Sequence, residues 1–254
     1  MQRTEIDGNI LLQADSRRPS SYTAVLGDAR VPLLHADPPY CLLVRRGRTG
    51  RKRDPKPTKL NHSAVTRYED VAAYRRFTRA WLLPAAMRVA DGGHAVIWTN
   101  MLGRAPIEQV AREAGLVAHG HFLWAKIGKK GNAGERIARL YEVALVFGRE
   151  PAPELQPGDV APPRHHISGY DDDGEAGEWQ DHPNHKPLSL LSPLLRFYTR
   201  PGERILEPFS GSGSTAAAAV KLGRKASALE LRETWARVGG ERLVAACAHH
   251  EAAQ

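Results

Sequence analysis

Glu203 to Leu231 reads ERILEPFSGSGSTAAAAVKLGRKASALEL, and this stretch decides the fold. Glu203 to Phe209 has the apolar, short character of a buried strand. Gly211 to Thr215, GSGST, is a glycine turn opening a helix over Thr215 to Leu222, which Gly223 caps. Lys225 to Leu231 is the next strand. The whole is one βαβ unit of ordinary length. A flexible Gly/Ser linker would not sit between an apolar strand and an alanine-rich helix. Glycines let a backbone approach a ligand closely. Glu230 lies 23 residues after Glu207, where an acidic residue suits ribose hydroxyls. Ala216 stands where a GxGxxG pattern has its third glycine, and no GK[ST] ending is present, which excludes a P-loop.

Outward from this unit, strands alternate with helices. Val31 to Ala36, His94 to Asn100, His121 to Ile127 and Glu142 to Gly148 read as strands. Tyr68 to Val89, Ile107 to Ala114 and Pro187 to Tyr198 read as helices, the first stopped by Gly92 and Gly93. The alternation predicts an α/β fold, doubly wound, with a mostly parallel Rossmann-like sheet. One domain over residues 1–254 is expected, with Arg149 to Asp181 a small irregular insertion and Arg45 to Lys59 an exposed basic loop. His165 and His166 fall in that insertion and read as loop residues.

The strand Val31 to Ala36 runs into Asp37-Pro38-Pro39-Tyr40. Open α/β sheets place ligand sites at such strand ends, and two prolines end regular pairing and fix the backbone direction. These residue types suit one task, gripping an exocyclic amino group. The lone pair of such a nitrogen is delocalised into the ring. Two acceptors on its two N–H groups draw it toward a tetrahedral shape and free the pair. An ionised Asp37 supplies one acceptor, the Pro38 carbonyl another, and Tyr40 can stack on a base drawn out of a helix. A turn after a strand is the plain alternative. The glycine motif in the same chain argues against it.

The chain has 254 residues, 42% of them hydrophobic, and a formal net charge of +8. That excess suits a polyanionic partner. Cys41 and Cys247 have neither metal-ligand spacing nor a disulfide framework. The N-terminus lacks the apolar core of a signal peptide, and no apolar run reaches membrane-span length. A cytoplasmic protein without membrane attachment is expected. His182 and His185 lack a cysteine or acidic partner at zinc-ligand spacing, so no metal is expected.

HADPPY and LEPFSGSGST together resemble the beta-type amino-methyltransferases, the N6-adenine and N4-cytosine DNA methyltransferase family. The resemblance covers most of the chain. GNILLQADS (Gly8 to Ser16) resembles the opening strand, HFLWAKI and YEVALVFG later strands, and HPNHKPL (His182 to Leu188) the segment that begins the cofactor pocket. Glu207 stands where the family usually has Asp. Asp37 precedes Glu207 by 170 residues, which matches the beta order and argues against RNA guanine and protein glutamine methyltransferases. The resemblance implies S-adenosylmethionine as cofactor, with Asp37, Pro38, Pro39 and Tyr40 catalytic. Asp37, Lys186, Glu207, Phe209, Ser210, Gly211, Gly213, Ser214, Thr215 and Glu230 would line the cofactor site. It implies duplex DNA as partner, with a homodimer and a cognate restriction endonuclease in keeping with it. Asp at the first motif position favours adenine N6 over cytosine N4. Methylation of structured RNA and a non-catalytic nucleic-acid-binding module are the readings it competes with.

Arg45 to Lys59 is RRGRTGRKRDPKPTK, eight basic residues and one acidic. Its nearness to Asp37 makes Arg45, Arg46, Arg48, Arg51, Lys52 and Arg53 candidates for the DNA backbone. Lys129 and Lys130 belong to a second basic cluster. Phosphate contacts release counterions, so affinity that depends on them falls with salt. Deleting residues 45–59 is expected to weaken DNA binding and flatten its salt dependence. A titration at several salt concentrations with an unchanged slope would refute the assignment.

Overall fold

The computed structural model describes residues 2–44, 66–126, 141–151, 163–168 and 185–252. Its strands are β1 (Arg3–Ile6), β2 (Asn9–Gln13), β3 (Val31–Ala36), β4 (Val89–Thr99), β5 (Val117–Lys126), β6 (Tyr141–Gly148), β7 (His165–Ser168), β8 (Arg204–Glu207) and β9 (Lys225–Glu230). Its helices are α1 (Pro19–Leu26), α2 (Val71–Ala86), α3 (Met101–Glu113), α4 (Leu188–Tyr198), α5 (Ser214–Lys221) and α6 (Glu233–Ala252). All nine described strands form one sheet in the order β1-β2-β9-β8-β3-β4-β6-β5-β7. Only β1 and β6 run against the rest.

The sheet is buried on both faces. Alternation along β3 sends Leu33 to one core and Leu34 and Ala36 to the other. The Leu33 side is covered by α4, α5 and α6. The Leu34 side is covered by α1, α2 and α3, with Tyr22, Tyr74 and Trp81 fully buried. This is the doubly wound, mostly parallel architecture the alternation predicts.

Local signals set several boundaries. The Asp70 side chain caps α2 by accepting from the Ala73 N–H at 2.6 Å. Asn100 caps α3 by accepting from Gly103 N–H at 2.9 Å. That cap starts α3 at Met101 rather than near Ile107. Gly92 and Gly93 do not end a helix. They lie inside β4, which begins at Val89, and α2 stops at Ala86. His165 and His166 are not loop residues. They belong to β7, which adds to the outer edge of β5 through Leu123 and Trp124.

The chain order puts the topological switch between β3 and β8, which pair in parallel through Leu33 with Ile205 and Leu34 with Leu206. From β3 the chain winds outward through α2 to β4. From β8 it winds the other way through α5 to β9. The loops after β3 and β8 therefore part at one crevice, the ligand position of open α/β sheets.

Alanines 216 to 219 are all buried in α5, which packs against α4, α6, β8 and β9. Only small side chains fit there. Ala217→Leu is expected to cost about 1–3 kcal/mol through overpacking, read as a lowered urea midpoint. An unchanged midpoint would show the helix has room to spare.

Candidate functional site

Four polar groups converge where β3 ends. Asp37 leaves β3 and its Oδ2 accepts from Lys186 Nζ at 2.5 Å. Glu142 Oε2 stands 3.3 Å from the same Nζ. The Tyr40 hydroxyl donates to Glu142 Oε2 at 2.7 Å. The side chains of Asp37 and Glu142 are 19% exposed and that of Lys186 5%. Lys186 also lies 4.8 Å from the centre of the Trp98 ring and 5.8 Å from that of Tyr40, within the range where a ring face attracts a cation.

Glu142 was not singled out from the sequence. It arrives because β6 runs antiparallel to β4, with Val143 opposite Thr99. The first residues of β6 thus reach the end where the parallel strands finish. The only signal in the sequence was a Glu just ahead of an apolar run.

Burial raises Asp37, and the neighbouring Glu142 charge adds to this, against the pull of Lys186 and Tyr40. Burial works to discharge Lys186, but Asp37 and Glu142 outweigh it and the ammonium is retained. Tyr40 is raised well above the ordinary phenol range, first by burial and then by both carboxylates, so it remains a donor.

The glycine loop sits on the adjacent strand. Gly213 takes φ +78° as it leads into α5, a conformation suited to glycine. Glu230 Oε2 accepts from Gly211 N–H at 2.8 Å, and Oε1 from Arg232 N–H at 2.8 Å. Ser210 donates to Glu207 Oε2 at 3.1 Å. Arg242 of α6 donates to Ser214 Oγ at 2.9 Å. Gly239 lets α6 approach this turn; a Cβ there would stand 3.1 Å from the Gly211 carbonyl oxygen. Phe209 turns the other way, packing edge-on to Trp81 at 5.0 Å between ring centres. His185 is buried, with Nδ1 3.3 Å from Ser214 Oγ.

A hydrogen-bonded chain ties the two loops together. The Trp98 indole N–H can only donate, and it donates to His35 Nε2 at 2.9 Å. The neutral ring therefore carries its proton on Nδ1, which donates to Thr215 Oγ1 at 3.0 Å. Thr215 in turn bonds the Glu207 carboxyl. Burial first, and then the Lys186 charge, push His35 down to about 3, consistent with a permanently neutral link.

The structure thus brings Asp37, Tyr40 and Lys186 together, and sets Glu207, Ser210, Gly211, Gly213, Ser214, Thr215 and Glu230 along one loop and the strands flanking it. Pro38 and Pro39 continue from Asp37. Arg45, Arg46, Arg48, Arg51, Lys52, Arg53, Lys129, Lys130 and His182 lie outside the described residues. A cavity of about 950 Å³ opens at the opposite end of the sheet. Its Arg196, Lys221 and His250 occupy the last turns of α4, α5 and α6, where cations complement helix dipoles. Among the described residues no helix is long and apolar enough to cross a membrane.

Comparisons with known proteins bear on the fold and the family. YubD of Escherichia coli (strain K12), named as a methylase, is 34% identical over 136 residues, 53% of this chain and 54% of YubD. The DNA adenine methyltransferase YhdJ of the same organism is 36% identical over 66 residues, 26% of this chain and 22% of YhdJ. The chain thus matches about half the length of the first of these relatives and less of the second. Among solved structures, the M1.HpyAVI–SAM complex superposes with a TM-score of 0.64 at 21% identity, covering 92% of this chain and 98% of that one. The PvuII DNA methyltransferase (cytosine-N4-specific) gives 0.68 at 14% identity, covering 99% and 95%. At these identities the likeness shows the shared fold. The model of the N6/N4 DNA methylase family matches residues 31–239, and the chain belongs to that family.

Proposed function

We propose that this protein transfers a methyl group from S-adenosylmethionine to the N6 amino group of adenine in duplex DNA. The observation that carries the reading is the meeting at one sheet end of Asp37, held by Lys186, with the glycine loop bonded to the same strand through His35 and Thr215. The residues present fit the cofactor. Glu230 ends the strand beside the glycine turn, where an acid can take ribose hydroxyls. The glycines admit close backbone contact, and Glu207, Ser210, Ser214 and Thr215 supply polar atoms. Bound there, S-adenosylmethionine supplies a methyl group on a good leaving group.

The chain's own residues do the rest. The Asp37 carboxylate accepts one N–H of the base amine and the Pro38 carbonyl the other, which frees the nitrogen lone pair. The Tyr40 ring gives a flipped base a face to stack on. Holding the reactants in line supplies the acceleration, with no covalent enzyme intermediate. The Asp at the head of the motif favours adenine, as does the name of YhdJ. Cytosine N4 is the second reading, since the family to which the chain belongs takes in both N6 and N4 enzymes.

Labelled methyl transfer to duplex DNA, with mass analysis of the nucleosides, is expected to give N6-methyladenine. N4-methylcytosine would move the reading to cytosine, and transfer to RNA alone would end it. Asp37→Asn is expected to lower kcat by about 100-fold or more while cofactor binding persists. Retained activity would remove Asp37 from the chemistry.

Glu207 makes a prediction of its own. Burial pushes its carboxyl up to about 8, against hydrogen bonds from Thr215, Ser210 and Ala216 N–H and the charge of Arg242. The unfolded chain ionises this group near 4.5. Its contribution to stability is therefore fully present below that value and is lost as pH rises through about 8. Glu207→Gln is expected to flatten this fall, measured by urea unfolding of the cofactor-free protein across the range. Parallel stability curves for the two proteins would show that Glu207 is not held protonated.

A further inference from the structure

If Asp37 is to grip a base amine through Oδ2, that oxygen must be available. In the structure Oδ2 carries a short, charge-assisted bond from Lys186. An incoming neutral amine competes poorly with an ammonium. Lys186 is almost fully buried, so water offers it no alternative partner, and stranding a buried cation is costly. The second carboxylate at 3.3 Å, Glu142, removes the difficulty. A small shift carries the ammonium from one carboxylate to the other without exposing it. The same Glu142 oxygen accepts the Tyr40 hydroxyl, which fixes the tilt of that ring.

We infer that Glu142 is a positioning residue of the site: its carboxylate takes over the Lys186 ammonium and anchors the Tyr40 hydroxyl, releasing Asp37 to hold the amino group of the target base. The inference rests on the amino-methyltransferase reading and extends it to a residue outside both motifs. Among the described residues, the titratable groups facing the two carboxylates are Lys186 ahead of α4, Tyr40 after β3 and Tyr74 of α2, with neutral His35 of β3 beside Lys186. Glu142 is the one that opposes ionisation of Asp37 by its negative charge. Its neutralisation leaves Asp37 easier to ionise and more tightly bound to Lys186.

The test uses the full chain, labelled S-adenosylmethionine and duplex DNA, comparing wild type, Glu142→Gln, Glu142→Asp and Asp37→Asn between about pH 5 and 9. Glu142→Gln is expected to lower kcat by about 10- to 100-fold and to move the acid limb of the kcat profile to lower pH. Calorimetric affinity for S-adenosylmethionine should stay within about twofold of wild type. Glu142→Asp keeps the charge and is expected to recover part of the rate with the acid limb near its wild-type position. A Glu142→Gln enzyme with wild-type kcat, or with a lowered kcat and an unmoved acid limb, overturns the inference. Should Glu142→Gln fail to fold, a wild-type kcat in Glu142→Asp overturns it, and a reduced one supports it. Normal Glu142→Gln turnover beside a dead Asp37→Asn sinks this inference alone. Absence of transfer by the wild type sinks it together with the reading beneath it.

Discussion

The parallel pairing of Leu33 and Leu34 with Ile205 and Leu206 is the constraint from which the functional end follows. Two strands more than 170 residues apart in sequence become neighbours. Because they run the same way, both release their following loops on the same side of the sheet. Because the chain then winds in opposite directions, those loops separate rather than collide. Asp37 follows one strand and the glycine turn follows the other. The buried pairing leaves little freedom for either to drift, since a one-residue slip would exchange the two faces of the strand.

The second level of organisation is polar and lies across that pairing. Trp98, His35, Thr215 and Glu207 form a chain of donors and acceptors spanning β4, β3, α5 and β8. Buried polar groups are costly unless satisfied, and a satisfied network rigidifies its surroundings. A histidine kept neutral by burial suits this use, since its protonation would set two donors face to face and break the bond from Trp98. The charged cluster of Asp37, Lys186 and Glu142 sits beside that network, and the cofactor loop on its other side. Within the network Trp98, His35 and Thr215 keep one charge state, and Glu207 is the member that titrates.

Much of this was legible in the sequence, for identifiable reasons. β3, β8, α5 and β9 were readable because apolar runs and glycine breaks coincide there, and the DPPY and GSGST motifs fall at their ends. β4 extends back past the breaker-like Gly92 and Gly93 to Val89, because glycine is tolerated within a strand. α3 starts before its apolar periodicity does, because its first turn is set by the Asn100 side chain. α6 was not identified: Gly239 and Gly240 interrupt its pattern, yet those glycines are what allow it to approach the Gly211 turn and β1. β7 was hidden in a proline- and acid-rich stretch, and it forms only because the edge of β5 offers it a partner. Glu142 is illegible in the sequence for a deeper reason. Its place depends on strand direction, and no local pattern encodes direction.

That reversal in β6 also fixes what can change in length around the site. A residue that opens an antiparallel strand owes its position to the ladder after it, not to the chain before it. β6 is clamped by β4 on one side and β5 on the other. The position of the carboxylate is therefore set by the pairing of β6 itself. A single indel within the strand would turn that carboxylate to the opposite face. Tyr141 thus marks the point from which the length of the chain is fixed by its two neighbours in the sheet.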